Sequence, residues 1–127
     1  MRVFKSKEFA RFARRNRLAD SELCRASTEL HAGTIDADLG GGVFKQRLRR
    51  TNEGKSGGFR TIILLRWKSL GIFVFGFAKS ERANLTSVEL KVWRKIAKDL
   101  VAAPVAVQTA IDEGKLIEVV CDEKAIS

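Results

Sequence analysis

The segment VFKQRLRR at residues 43–50 places a lysine or an arginine at every second position from Lys45 to Arg49. Successive side chains of a β-strand point to opposite faces, so this alternation predicts a strand with one almost wholly cationic face and one partly apolar face. Two further strand-like segments follow, FRTIILL at 59–65 and GIFVFGFA at 71–78. Short turn-like connections separate the three, which predicts an antiparallel meander.

Helical patterns flank this meander on both sides, with apolar residues at helical spacing. Thr86 or Ser87 is a candidate N-cap, and Glu89 stands where it can complete a capping box with Thr86. The consecutive glycines 40–42 permit positive φ angles and a sharp entry into the first meander strand. In chain order, the other predicted elements are an edge strand at 2–5, a helix at 6–16, a helix capped by Asp20 or Ser21 and ended by Gly33, a loop at 36–42, a hairpin connection at 67–71, a helix from Thr86 to about Leu100, a helix at 104–114 and a strand at 116–120.

These elements predict one α+β domain spanning residues 1–127, with residues 104–127 as a C-terminal extension. Two N-terminal helices would pack on a small antiparallel sheet, followed by a C-terminal helix and a short tail. Because an antiparallel sheet can leave one face solvated, we expect the face opposite the helices to carry function.

Positive charge is concentrated in the meander. The chain has a formal net charge of +9, and residues 45–82 hold ten cations against two carboxylates. The last sixteen residues instead carry five acids against two lysines. Concentrated positive charge attracts a polyanion through counterion release, and nucleic acid is the commonest such partner. A solvated basic surface, or one that docks an acidic protein, remains open as an alternative.

Neither a secretory signal nor an apolar run of membrane-spanning length is apparent, which predicts a cytoplasmic protein without membrane contact. We therefore expect Cys24 and Cys121, 97 positions apart, to be reduced thiols. The sequence has no metal-ligand cluster, no CxxC motif and no nucleotide-binding loop, so we expect no metal and no cofactor.

Three motifs resemble the RelE branch of the RelE/ParE toxin superfamily. They are DADLGGGVFKQRLRR at 36–50, GKSGGFRTIILL at 54–65 and IFVFGFAKSERANLT at 72–86, in the order and spacing of the family. Together with the flanking helices the resemblance covers residues 1 to about 101, and GKSGGFR is its most specific part. It implies a RelE-like fold and the toxin of a type II toxin–antitoxin system. It further implies a ribosome-dependent endoribonuclease, or mRNA interferase, which is neutralised by a cognate antitoxin and meets DNA only through that antitoxin.

Cleavage of RNA requires deprotonation of the ribose 2′-OH, stabilisation of the pentavalent phosphorus and protonation of the departing 5′-oxygen. The chain has one histidine, His31, outside the basic window, so these tasks fall to cations or a carboxylate. Arg60 matches the arginine of the GKSGGFR motif, and its planar guanidinium suits two phosphate oxygens. The candidate catalytic residues are Lys45, Arg47, Arg60, Lys79 and Arg82, with Lys45 or Lys55 as general base, Lys79 as general acid and Glu81 as an alternative base.

Additional RNA contacts are expected from Arg49, Arg50 and Lys55, and from stacking of a base on Phe77. The chain has no tyrosine. Relatives of this family often place a tyrosine or histidine near the end of the third meander strand, so the proton-transfer groups here must differ.

Two other functions remain open. One is a ParE-type toxin that binds DNA gyrase without catalysis, and the other is a non-catalytic basic module that binds RNA or DNA. The cationic strand favours the nuclease, because a gyrase inhibitor does not need cations that converge on a phosphate. The absence of tyrosine and of a catalytic histidine favours the binding module.

Overall fold

A computed structural model describes residues 1–48, 58–66, 68–101 and 103–121. In this part of the chain, six strands form one sheet in the order β2-β3-β4-β5-β1-β6. The elements are β1 (Arg2–Ser6), α1 (Lys7–Arg15), α2 (Asp20–His31), β2 (Ala37–Asp38), β3 (Val43–Leu48), β4 (Phe59–Arg66), β5 (Leu70–Ala78), α3 (Ser87–Ile96), a π-helical turn (Ala97–Val101), α4 (Pro104–Asp112) and β6 (Leu116–Val119).

The predicted meander is confirmed, since β3 pairs antiparallel with β4, and β4 pairs antiparallel with β5. The glycines that precede it, Gly40, Gly41 and Gly42, all have positive φ angles, as predicted. The predicted turn at 51–57 and residue 67 of the hairpin connection lie outside the described residues.

The predicted strand at 2–5 is confirmed, but its predicted position at an edge of the sheet is wrong. β1 lies inside the sheet, parallel to β5 on one side and antiparallel to β6 on the other, so the sheet is mixed and not wholly antiparallel as predicted. Its Val3 and Phe4 are 2% and 0% exposed, which is the burial of an interior strand. The edges of the described sheet are β6 and the two-residue β2. The sequence had predicted a loop where β2 lies.

One face of the sheet packs against α1 and α2, as predicted. Ser6 caps α1, with its Oγ accepting a hydrogen bond from the N–H of Phe9 at 3.0 Å. The predicted cap of α2 is wrong, because Ala19 occupies the N-cap position and Asp20 is the first helical residue. The buried side chains of this N-terminal core include Phe9, Leu23 and Leu30 from the helices and Phe44, Ile63 and Phe73 from the sheet.

The opposite face is not free along its whole length, which corrects the prediction that helices cover one face only. The segments after β5 pack over it and form a C-terminal core. Thr86 caps α3 with the predicted capping box. The buried side chains of this second core include Val43, Ile62, Leu64 and Ile72 from the sheet and Ala97 and Val107 from the C-terminal helical segments. The part of the face near the end of β3 and the start of β4 is where the cations lie.

The two cysteines are joined, which contradicts the expectation of reduced thiols. Cys24 of α2 and Cys121, which follows β6, form a disulfide with Cα atoms 5.6 Å apart. Their separation of 97 positions concealed this proximity, since α2 meets the edge strand β6 only in the folded chain. The bond attaches the end of an edge strand to the N-terminal helical layer.

Candidate functional site

The register of the meander brings three of the predicted cations onto one face. Arg47 of β3 lies directly opposite Arg60 of β4, and Lys45 lies opposite Ile62. Directly opposed residues share a face of the sheet, and so do residues two apart on a strand. We call Lys45, Arg47 and Arg60 the cationic strip; all three side chains are partly exposed.

The opposition of Arg47 and Arg60 is electrostatically unfavourable, because like charges directly across a sheet destabilise it. Among the described residues, neither arginine forms an ion pair. The buried Nε of Arg47 and Nη1 of Arg60 also have no hydrogen-bond acceptor within that part of the chain. An anion would relieve both the repulsion and the unmet hydrogen bonding.

Polar contacts of the neighbouring loop hold β3 in this register. The side chain of Gln46 is 1% exposed, and its amide donates to the carbonyl of Thr34 at 2.9 Å and accepts from the N–H of Asp36 at 3.1 Å. The Asp36 carboxylate accepts the backbone N–H of Arg47. From β4, Thr61 Oγ1 donates to the carbonyl of Gln46 at 2.9 Å. These contacts fix the strand end that carries the strip, whereas the sequence predicted only a loop at 36–42.

Arg82 lies near the strip but is already engaged. Its guanidinium forms a bidentate ion pair with the Glu89 carboxylate, with Nη1 and Oε2 3.2 Å apart. Its Nε and Nη2 donate to the carbonyl of Asn84 at 3.2 and 3.0 Å. The hydrogen bond from Arg82, with that from the Thr86 N–H, lowers the pKa of Glu89 from 4.5 to about 2. The same hydrogen bond raises the pKa of Arg82.

Phe77 is less accessible than the stacking prediction requires. It lies opposite Arg60 on the face of the strip, but only 3% of it is exposed. The Arg82 guanidinium covers its ring, with Cζ 5.3 Å from the ring centroid. A base could stack on Phe77 only after Arg82 had moved. The neighbouring Phe75, opposite Ile62, is more exposed.

Lys79 is exposed in the turn directly after β5, and the structure records no contact between it and the cationic strip. Glu81 lies exposed in the same turn. Arg49, Arg50 and Lys55 lie outside the described residues. The structure therefore brings together Lys45, Arg47 and Arg60, places Arg82 beside them above Phe77, and leaves Lys79 at the end of the neighbouring strand.

The sequence predicts only a helix-capping role for Glu89. Its second contact, with Arg82, has no local signal in the sequence, since the two residues are separated by a turn and only the fold brings them together. The one sequence feature that could have indicated this ion pair is a carboxylate seven positions after a candidate catalytic arginine.

The family of this chain follows from comparison of its sequence with known protein families. Residues 1–119 match the family model described as the RelE toxin of the RelE / RelB toxin–antitoxin system. The chain belongs to the RelE toxin family, and it is therefore a toxin of a toxin–antitoxin system, a class whose members have an antitoxin partner. The resemblance found in the motifs is confirmed, and the match extends beyond residue 101 through α4 and β6. A search of curated proteins finds no match. Among the described helices, none has the length and apolar character needed to cross a membrane.

Proposed function

We propose that this toxin is a ribosome-dependent endoribonuclease that acts in the cytoplasm and cleaves mRNA in the ribosomal A site. The observation that carries the proposal is the unneutralised opposition of Arg47 and Arg60 beside Lys45. Such an arrangement lowers the stability of the sheet, and it becomes favourable when a polyanion binds. Membership of the RelE family supports RNA as that polyanion.

The reaction begins with removal of the proton from a ribose 2′-OH. Lys45 is the proposed general base, a role that requires its amine to be neutral. The 2′-oxygen then attacks the adjacent phosphorus while Arg47 and Arg60 bind the phosphate oxygens, whose negative charge grows in the transition state. The bond to the 5′-oxygen breaks, leaving a cyclic phosphate on one fragment and a hydroxyl on the other.

The departing 5′-oxygen needs a proton, and Lys79 is the proposed donor. Its exposed position after β5 leaves the amine able to approach bound RNA. Arg82 would contribute positive charge near the same phosphate. Arg49, Arg50 and Lys55 are proposed to contact the RNA backbone, and a cognate antitoxin is proposed to neutralise the toxin.

The decisive experiment compares Arg60→Ala with Arg66→Ala. Both arginines lie on β4, and because they are six residues apart their side chains share a face, roughly 20 Å from each other. Arg66 therefore controls for loss of a charge from the same strand. We expect Arg60→Ala to lower the rate of mRNA cleavage on programmed ribosomes about 100-fold or more, as removal of a transition-state hydrogen-bond donor does.

The matched Arg66→Ala variant should cleave as the unsubstituted toxin does, and both variants should unfold at similar urea concentrations. Equal cleavage by the two variants would remove Arg60 from the mechanism. Growth arrest with normal protein synthesis would contradict the nuclease and favour a gyrase-directed toxin. Ribosome binding without any cleavage would favour the non-catalytic module.

A further inference from the structure

The Arg82–Glu89 pair differs from an ordinary surface ion pair in how completely it holds the guanidinium. Glu89 and Asn84 together accept four hydrogen bonds from Arg82. An arginine side chain has five N–H donors. Within the described part of the chain, this leaves one Nη1 proton of Arg82 without an acceptor. The two side chains are about two-thirds buried, at 31% and 33% exposed.

Glu89 is itself fixed by the start of α3. Its Oε1 accepts the N–H of Thr86 at 2.8 Å, and its own N–H donates to Thr86 Oγ1 at 3.1 Å. This capping box orients the carboxylate through the backbone of the helix, not through a flexible side chain alone. The position of Arg82 is therefore set partly by α3, an element outside the meander that carries the cationic strip, while the carbonyl of Asn84 accepts the other two hydrogen bonds.

The rings below Arg82 complete the arrangement. The guanidinium Cζ lies 5.3 Å from the ring centroid of Phe77 and 5.7 Å from that of Phe75. Phe77 is the direct cross-strand neighbour of Arg60. Arg82 thus lies one strand away from the cationic strip, on the same face, and its ring contacts and hydrogen bonds restrict it to a single orientation.

We propose that Glu89 is a positioning residue of the RNA-cleavage site, which holds the Arg82 guanidinium above Phe77 so that its remaining Nη1 proton is available to the RNA phosphate. This inference rests on the proposed endoribonuclease activity. Glu89 does not touch the RNA and acts through Arg82. It restricts the rotation of the Arg82 side chain in the free toxin, so that this conformational entropy is not lost when the transition state forms. An isolated surface ion pair would have little effect on either stability or catalysis.

The test is a double-mutant cycle in single-turnover cleavage of mRNA on programmed ribosomes. Glu89→Gln removes the charge but retains a side chain that can complete the capping box. We expect it to lower the rate at saturating toxin by on the order of 10- to 100-fold, while the half-saturating concentration changes little, because a misplaced group affects the transition state more than binding. Arg82→Ala should lower the rate by at least the same factor.

The double variant should be no slower than Arg82→Ala, because Glu89 acts only through that residue. Glu113→Gln is the matched control, because Glu113 also pairs with a cation, Lys115, in an exposed ion pair at the end of α4. Its cleavage rate and its urea midpoint should both stay close to those of the unsubstituted toxin.

A Glu89→Gln variant that cleaves at the unsubstituted rate would overturn this inference, and so would losses from the two substitutions that multiply. An unsubstituted toxin that leaves mRNA intact would instead refute the proposed function, and this inference with it. The two failures are therefore distinguishable by the activity of the unsubstituted protein.

Discussion

Reduction of the Cys24–Cys121 disulfide should destabilise the folded toxin strongly. The bond closes a chain segment with a sequence separation of 97 residues. In the chain-entropy account, a cross-link over a loop of this length removes about 4–5 kcal/mol of conformational freedom from the unfolded state. That amount is a large share of the about 5–15 kcal/mol by which domains are typically stable.

The measurement is urea unfolding of the same protein with and without a thiol reductant. With a urea dependence of about 1–3 kcal/mol per molar, the midpoint should fall by about 1.3 to 5 M on reduction. The Cys24→Ala/Cys121→Ala double variant is the matched control, since its midpoint should not respond to the reductant at all. The comparison is made within each protein, so the small cavity left by replacing the buried Cys24 does not affect it.

Two results would refute this reasoning. An unchanged midpoint in the unsubstituted protein would show that the disulfide does not form or does not constrain the unfolded chain. An equal fall in the double variant would show that the reductant acts elsewhere. The cytoplasm, where the toxin is proposed to act, keeps thiols reduced, so the toxin would work there without this stabilisation.

Three further outcomes are expected. Gly76→Ala should destabilise the protein by about 1–3 kcal/mol in urea unfolding, because the added Cβ would lie 2.7 Å from Cδ1 and 2.9 Å from Cζ of Phe12. The control is Gly71→Ala, whose added Cβ would meet nothing closer than 3.7 Å. Glu89, with its pKa lowered from 4.5 to about 2, contributes stability that is fully present above about pH 4.5 and is lost as the pH falls through 2. Urea unfolding measured across this pH range should show a smaller loss of stability in Glu89→Gln than in the unsubstituted protein. Equal losses would contradict the Arg82–Glu89 ion pair. Ribosome affinity should fall linearly on a log–log plot against salt, and Arg47→Ala should make the slope shallower by about one; an unchanged slope would exclude Arg47 from phosphate contact.

The sequence predicted most local features of the fold correctly, the N-cap of α2 excepted, and predicted long-range ones poorly. The capping box of Thr86 and the positive φ angles of Gly40 to Gly42 depend on residues within a few positions, and both are confirmed. The place of β1 depends on pairing with β5, where Phe4 lies opposite Ile72. No period or turn signal near residue 4 encodes that partner, so an interior strand was read as an edge.

The candidate site shows the same division. Alternation along β3 predicted a shared face for Lys45 and Arg47, because that property belongs to one strand. Arg82 lies over the ring of Phe77 and pairs with Glu89. Both contacts form only when α3 folds back against β5. Cationic character could be read from the sequence, whereas the availability of each cation for RNA depended on tertiary contacts.

The register of β3 against β4 links stability to the proposed chemistry. The pairing that buries Phe44 and Leu48 in the N-terminal core also places Arg47 opposite Arg60 on the other face. A slip of one residue would exchange the two faces, expose the apolar side chains and bury the cations. Burial of such side chains stabilises by about 1.5–3 kcal/mol each, which exceeds the roughly 0.2–1 kcal/mol expected for a cross-strand pair. The hydrophobic core can therefore hold two arginines in opposition until an anion neutralises them, and the hydrogen bonds of Gln46 and Asp36 support the same register.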